Sequence, residues 1–433
     1  MALLAKDPRR LPDTEARIAA LELPPGGWTR GARAEALARL RAAGLPSRRD
    51  EYWRYTDPAA LAAPVPAEAP PFDAGEAHVF AATERLEIVF VDGVFDVARS
   101  GDLRLAGVEI ARLAEADRAD IHWAQGLYGV LEAHGQSPVP RPLAALNTAA
   151  AADGLLIRVT GRAARPVCLV YERRAPAADA VLHHCVKVEA GAELTLLETG
   201  PAAARLNLVT EVEVAAGGRF HHVRVQGRDH ARRAATHIFA RLADGALFKS
   251  FTLTMNGALT RNEAVLELAG DRAVAHVAGA ALGDGATGAF HHDDTVFVTH
   301  DAEGCESRQV FKKVLKHGAV GVFQGKILVR PGAQKTDGYQ ISQSLLLDDD
   351  SQFLAKPELE IYADDVKCSH GSTTGAIDET ALFYLRARGI PRETAVTLLV
   401  LSFLADAIAE IEDEALRAAI TGRLEGWMAR HRS

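Results

Sequence analysis

The chain has 433 residues, too many for one ordinary core, so two or three domains or an elongated repeat architecture are expected. With 24% charged residues and no long polar tract it reads as folded throughout, and an aromatic share of only 6% disfavours a sugar-stacking groove. A formal net charge of −8 gives no global pull toward phosphate backbones, which argues against nucleic acid as a partner.

The first residues, MALLAKDPRRLPD, reach Lys6 after a few apolar side chains, so they hold no export signal, and no apolar run approaches membrane-spanning length. A cytoplasmic protein without a membrane partner is expected. Residues 13–43 carry apolar side chains at helical spacing, broken by PPGG at 24–27 and stopped by Gly44 and Pro46, so two short helices are predicted. Residues 62–75, rich in Pro and Ala, read as a linker closing an N-terminal helical region over 1–75. Next come strand-like LEIVFVDG at 86–93, a second segment around RLAGVEIARL and a helix, DIHWAQGLYGVLEAHG, ending at Gly135. They form a small mixed α/β region over 76–145.

Beyond residue 150 the chain turns to short β-branched or aliphatic runs between Gly-containing turns. The turn glycines Gly191, Gly218, Gly245 and Gly270 recur about every 25–27 residues, a length suited to one coil of a β-solenoid. A sandwich is the alternative, but the tight Asn-Gly hairpin signals it needs are sparse. The favoured reading is mainly β: a right-handed parallel β-helix over 146–360. After Gly375, Asp378 can cap a helix that stops at Gly389, Pro391 opens a second, and EDEALRAAITGRLEGWMARH is a third. A C-terminal strand and helical domain over 361–433 is expected.

Cys168, Cys185, Cys305 and Cys368 are far apart and include no C-x-x-C pair, which argues against disulfides and a self-contained zinc site. If EIYADDVKC continues as a strand, Cys368 and His370 share one face with Cα atoms about 7 Å apart. Thiolate and imidazole together suit iron–sulfur or zinc chemistry, while a buried structural cysteine beside a hydrogen-bonded histidine is the plainer reading. In AFHHDDTVFVTHDAEGC, His291 and Asp293 share a strand face, but such clusters on a solenoid are more often polar stacks; HHC at 183–185 and FHH at 220–222 read the same way. Gly321 to Lys326 gives G-x-x-x-G-K, one residue short of a P-loop and with Ile327 in place of the magnesium-holding hydroxyl, so no ATP site is expected on this chain. Gln334, Gln340 and Gln343 fit amide groups stacking between coils.

The C-terminal third resembles the SufB/SufD family of iron–sulfur cluster assembly proteins through SRQVFKKVL at 307–315, GVFQGKILVRPGAQKTDGYQ at 321–340, LLLDDDSQFLAKPELEIYADDVKCSHGSTTG at 345–375 and LFYLRARGI at 382–390. RRDEYWRYTD at 48–57 and PLAALNTAAAADGLLIRV at 142–159 also fit, whereas residues 60–140 match loosely. Gly371 after His370 sets the chain apart from SufB, which carries an acidic residue there. The resemblance implies a β-helix between helical regions and a scaffold subunit that is not itself an ATPase, in a complex with SufB and the ATPase SufC. It implies that the C-terminal helices dock SufC, that the last strands pair with those of SufB, and that Cys368 and His370 give half the ligands of a transient iron–sulfur cluster finished by SufB. Two rival readings are a solenoid lyase or hydrolase using Asp293 and Asp294 as acid and base, and a purely structural homodimer.

Overall fold

The computed structural model describes residues 10–70, 77–200, 203–227 and 229–431; the first nine residues and positions 71–75 of the expected linker lie outside it. The short apolar runs stack into two sheets of ten and nine strands, each sheet taking alternate strands of the chain, in a solenoid of about seven turns. Parallel register partners sit one coil apart: 26 residues in mid-chain, Arg233 beside Leu259, and 32 nearer the end, Val274 beside Glu306. Strand side chains alternate in and out, and the inward ones fill the lumen with aliphatic ladders such as Leu208, Val212, Leu266 and Val298.

The coil spacing is legible in the glycines, although the column that needs them differs by a residue or two. The stacked left-handed turn positions are Gly191, Gly217, Gly245, Arg272, Gly304 and Lys335, each with φ between 57° and 69°. Successive members are joined through the ladder by bonds such as Gly191 N–H to Ala216 O and Gly217 N–H to Asp244 O. Gly218 lies just beside the column. Gly270 serves close approach: a Cβ there would stand 2.1 Å from the Asp244 nitrogen.

The two ends of the solenoid differ. At the start, the strands Val94–Phe95 and Val108–Arg112 run antiparallel to Leu86–Val91 and Leu155–Val159 and close both sheets. At the finish, Gln352–Ile361 and Val366–Gly375 are the last strands of their sheets, and among the described residues nothing pairs with their outer edges.

Each sheet has one covered outer face. The helices Leu11–Ala19 and Arg30–Ala43 pack with Trp53, Leu143 and Leu146 onto Ala235 and Leu259 of the nine-stranded sheet. Asp378 caps the helix Glu379–Ala387 by accepting from the Thr380 and Ala381 amides, and Pro391 precedes Arg392–Ile408. That helix and Glu414–Arg430 bury Val400, Leu404, Leu424 and Trp427 against Val223, Phe251 and Val310 of the ten-stranded sheet.

The expected helix over residues 120–135 is broken: Gly129 adopts φ 73°, leaving a 3-10 turn, Trp123–Gly126, and one short helix, Val130–His134. The helix Pro142–Ala150 was not anticipated, because all nine of its residues are buried and it shows no polar stripe.

Candidate functional site

The strand Val366–Gly375 holds Cys368 and His370, two residues apart and therefore on one face. EIYADDVKC is two strands, not one: the chain turns at residues 362–365, where the Lys335 amide donates to Asp365 O at 2.6 Å and the Asp365 amide to Gln334 Oε1 at 2.9 Å. The face is the inward one. Cys368 packs with Ile327, Val329 and Leu359, and Ser372, on the same side, shares a 2.9 Å hydrogen bond with Ser342.

Cys368 lies opposite Gly338, and His370 opposite Gln340. A Cβ on Gly338 would be 3.2 Å from Sγ of Cys368, so this glycine leaves the thiol its space. Gly325 does the same for the neighbouring amide, since a Cβ there would stand 2.3 Å from Nε2 of Gln340. That amide donates to Oε1 of Gln309 at 2.8 Å, while Oε1 of Gln340 is buried without a hydrogen-bond partner. Among the three glutamines read as stacked amides, only Gln340 is interior; Gln334 holds the turn, and Gln343 accepts from Lys312 outside.

Cys368 is half-buried and His370 exposed, because no further coil covers them. Burial pushes the Cys368 thiol above its ordinary value, with a bond from the Gly338 backbone working the other way. The companion terminal strand, Gln352–Ile361, carries Lys356, Pro357, Glu358 and Glu360, features that blunt an edge against pairing. The sequence VKCSHGSTTG has one charge besides its histidine and no proline, which leaves it the more open edge.

Asp293 and Asp294 do not form an acid–base pair. Neighbours on the strand His291–His300, they point to opposite sides of the sheet and are buried in separate networks. Asp293 pairs with Arg261 and accepts from Thr56 Oγ1 at 2.6 Å, and the His291 ring stands 2.9 Å from that same hydroxyl. Asp294 faces the lumen, paired with Lys313 at 2.7 Å. Each carboxylate has its own cation, and the two face opposite sides of the sheet, so they do not meet across one substrate. His222 is likewise held by Glu198 at 3.0 Å, and Cys305 fills a small-residue turn position. The run from Gly321 to Lys326 lies inside the strand Val320–Val329, extended rather than looped.

A family model described as "SUF system FeS cluster assembly, SufBD core domain" matches residues 172–403, most of the solenoid and the C-terminal region into the helix Arg392–Ile408. The chain belongs to the SufB/SufD family. It is 28% identical over 401 residues to the iron–sulfur cluster assembly protein SufD of Escherichia coli, covering 90% of each chain. Shorter matches include SufD of Bacillus subtilis, 31% identical over 131 residues and 30% of each chain, and an iron–sulfur cluster assembly SufBD family protein of Mycobacterium leprae, 30% identical over 194 residues, covering 43% of this chain and 49% of that one. It is thus a SufD-like iron–sulfur cluster assembly protein of the SufBD family. Among the described residues, no helix is long and apolar enough to cross a membrane.

Proposed function

We propose that this SufD-like chain is a cytoplasmic, non-ATPase scaffold subunit whose Cys368 and His370 supply half of an iron–sulfur assembly site, the other ligands coming from a SufB paralogue. One observation carries the reading: thiol and imidazole share the inward face of a terminal strand whose outer edge is unpaired. A cluster needs about four ligands, and thiolate and imidazole are both suitable donors. A paralogue with the same strand geometry, adding its own terminal strand to the edge of Val366–Gly375, continues both the backbone ladder and the inward face.

Cluster iron is substrate here, and the chain's own residues prepare for it. Oε1 of Gln340, one register step from His370 and without a partner, is the acceptor available to fix one ring N–H so that the other nitrogen is free to bind. The raised Cys368 thiol stays protonated until a metal displaces the proton. Phe383 and Tyr384 on one C-terminal helix and Leu398 on the next are exposed, an apolar patch suited to docking the ATPase SufC. ATP-driven closure of two SufC subunits then moves the helical domains and opens the seam to iron and sulfide.

Anaerobic reconstitution with SufB and SufC tests this. His370→Ala and Cys368→Ala should each abolish cluster formation, read by iron spectroscopy, while the three-protein complex still copurifies. Normal cluster yield from either variant overturns the assignment.

A further inference from the structure

A second group of metal-type donors lies far from the open end. The inward-outward alternation of the strand Asp179–Val188 puts His183 and Cys185 on one face, and register sets Glu211 of the neighbouring strand directly beside Cys185. Their donor atoms all lie within 4.8 Å of one another, and all three residues are fully buried beside Tyr128, whose ring lies tilted against that of His183 with centroids 4.2 Å apart.

The surroundings hold His183 by the ring nitrogen that a metal would not use and fix Glu211 through both of its oxygens. Asn147 donates its amide hydrogens to Leu182 O and Asn207 O, so its Oδ1 accepts from Nδ1 of His183 at 3.0 Å. That fixes the tautomer and leaves Nε2 with its lone pair aimed at Glu211, 2.9 Å away. Glu211 is in turn held by the Gly129 amide at 2.5 Å and the Glu132 amide at 2.7 Å. A ring nitrogen anchored opposite the donor atom and a carboxylate fixed by hydrogen bonds are what metal sites use to orient ligands. Among the described residues no arginine or lysine hydrogen-bonds to Glu211; Arg39, a cation that acts on it, is paired with Glu132.

We infer that His183, Cys185 and Glu211 form a site for one divalent metal of borderline softness, zinc or ferrous iron, distinct from the assembly site at Cys368. Tetrahedral zinc places N, O and S donors about 3–4 Å apart, so small shifts suffice: the 2.9 Å approach of His183 to Glu211 widens slightly and any separation toward 4.8 Å closes. Charge favours it. A divalent ion with one thiolate, one carboxylate and a neutral imidazole is net zero, an ionised arrangement that a buried pocket tolerates without an outside partner. Binding is an exchange: the ion enters, the Cys185 thiol and the Glu211 carboxyl each release a proton, and no electron moves.

The test uses the full chain carrying Cys368→Ala and His370→Ala, so that the open-end site contributes nothing, produced and folded with cobalt(II) as the probe. The expected result is about one cobalt per chain surviving desalting, with a thiolate-to-cobalt charge-transfer band. Adding Cys185→Ala should remove that band while far-ultraviolet circular dichroism stays unchanged, and adding Cys305→Ala should leave it intact. Folded chain with no cobalt above the Cys185→Ala background, or a band that survives Cys185→Ala, overturns the inference. Neither outcome bears on Cys368, which is absent throughout.

Discussion

Replacing Glu211 by glutamine in the metal-free protein should remove a pH dependence of stability. Burial pushes the Glu211 carboxyl from its ordinary 4.5 up to about 8, so at neutral pH it is protonated and donates to His183. Below pH 4.5 the folded and unfolded chains both keep this proton; between there and about 8 the unfolded chain releases it and the folded one does not. Stability therefore falls as pH rises, by ~1.4 kcal/mol per unit while the difference lasts. His183, held down to about 3 by burial, acts with the opposite sign only below its ordinary 6.5, so the clean window is pH 6.5 to 8. Over it wild type should lose ~2 kcal/mol that the variant does not. The substituted amide forfeits one of the two backbone donors that Glu211 accepts from, a constant offset of about 1 kcal/mol that leaves the slope untouched. Urea unfolding at several pH values, followed by the fluorescence of Trp28, Trp53 and Trp123, measures it, and the infrared band of a protonated carboxyl should vanish in the variant. Equal slopes in the two proteins refute the buried neutral acid.

Asp293→Ala strips Arg261 of one of its two carboxylates and frees Thr56; Glu263 still compensates, so ~2–4 kcal/mol of stability should be lost, measured by urea unfolding, with cluster yield per folded complex unchanged. Trp427→Ala empties the centre of the C-terminal helical packing and should cost ~3–5 kcal/mol, read as faster amide exchange in residues 392–430 than in the solenoid strands. Gly325→Ala drives a methyl into the Gln340 amide and should lower cluster yield through His370 while leaving Cys368 reactive toward alkylating reagents. Loss of that reactivity as well would mean a general collapse of the open end.

Much of the architecture was legible because a solenoid repeats: one coil length, one turn conformation and one alternation are written many times over. What escaped was set by residues distant in sequence. Nothing local in PLAALNTAA announces a helix buried on every side, since its neighbours are strands and helices elsewhere in the chain. Cys368 and His370 stood out because they alternate on one strand, and the fold adds only that this strand is last. HHC at 183–185 showed two donors, but the third, Glu211, arrives by register from one coil later, which spacing along the chain cannot reveal. Asp293 and Asp294 misled for the converse reason: adjacency along a strand is opposition in space, and their partners, Thr56 and Lys313, come from other elements.

The reversed strands at the beginning of the solenoid limit what the molecule can build. Stacked cross-strand architectures with two receptive ends can add copies without bound and become fibres. Here Val94–Phe95, two residues long, and Val108–Arg112 run antiparallel to their neighbours and break the parallel geometry at one end, so the terminus bearing Cys368 is the more receptive of the two. On the proposed reading a paralogue docked at that terminus covers its open edge, and the same asymmetry that disfavours end-to-end growth puts the thiol and imidazole at the seam.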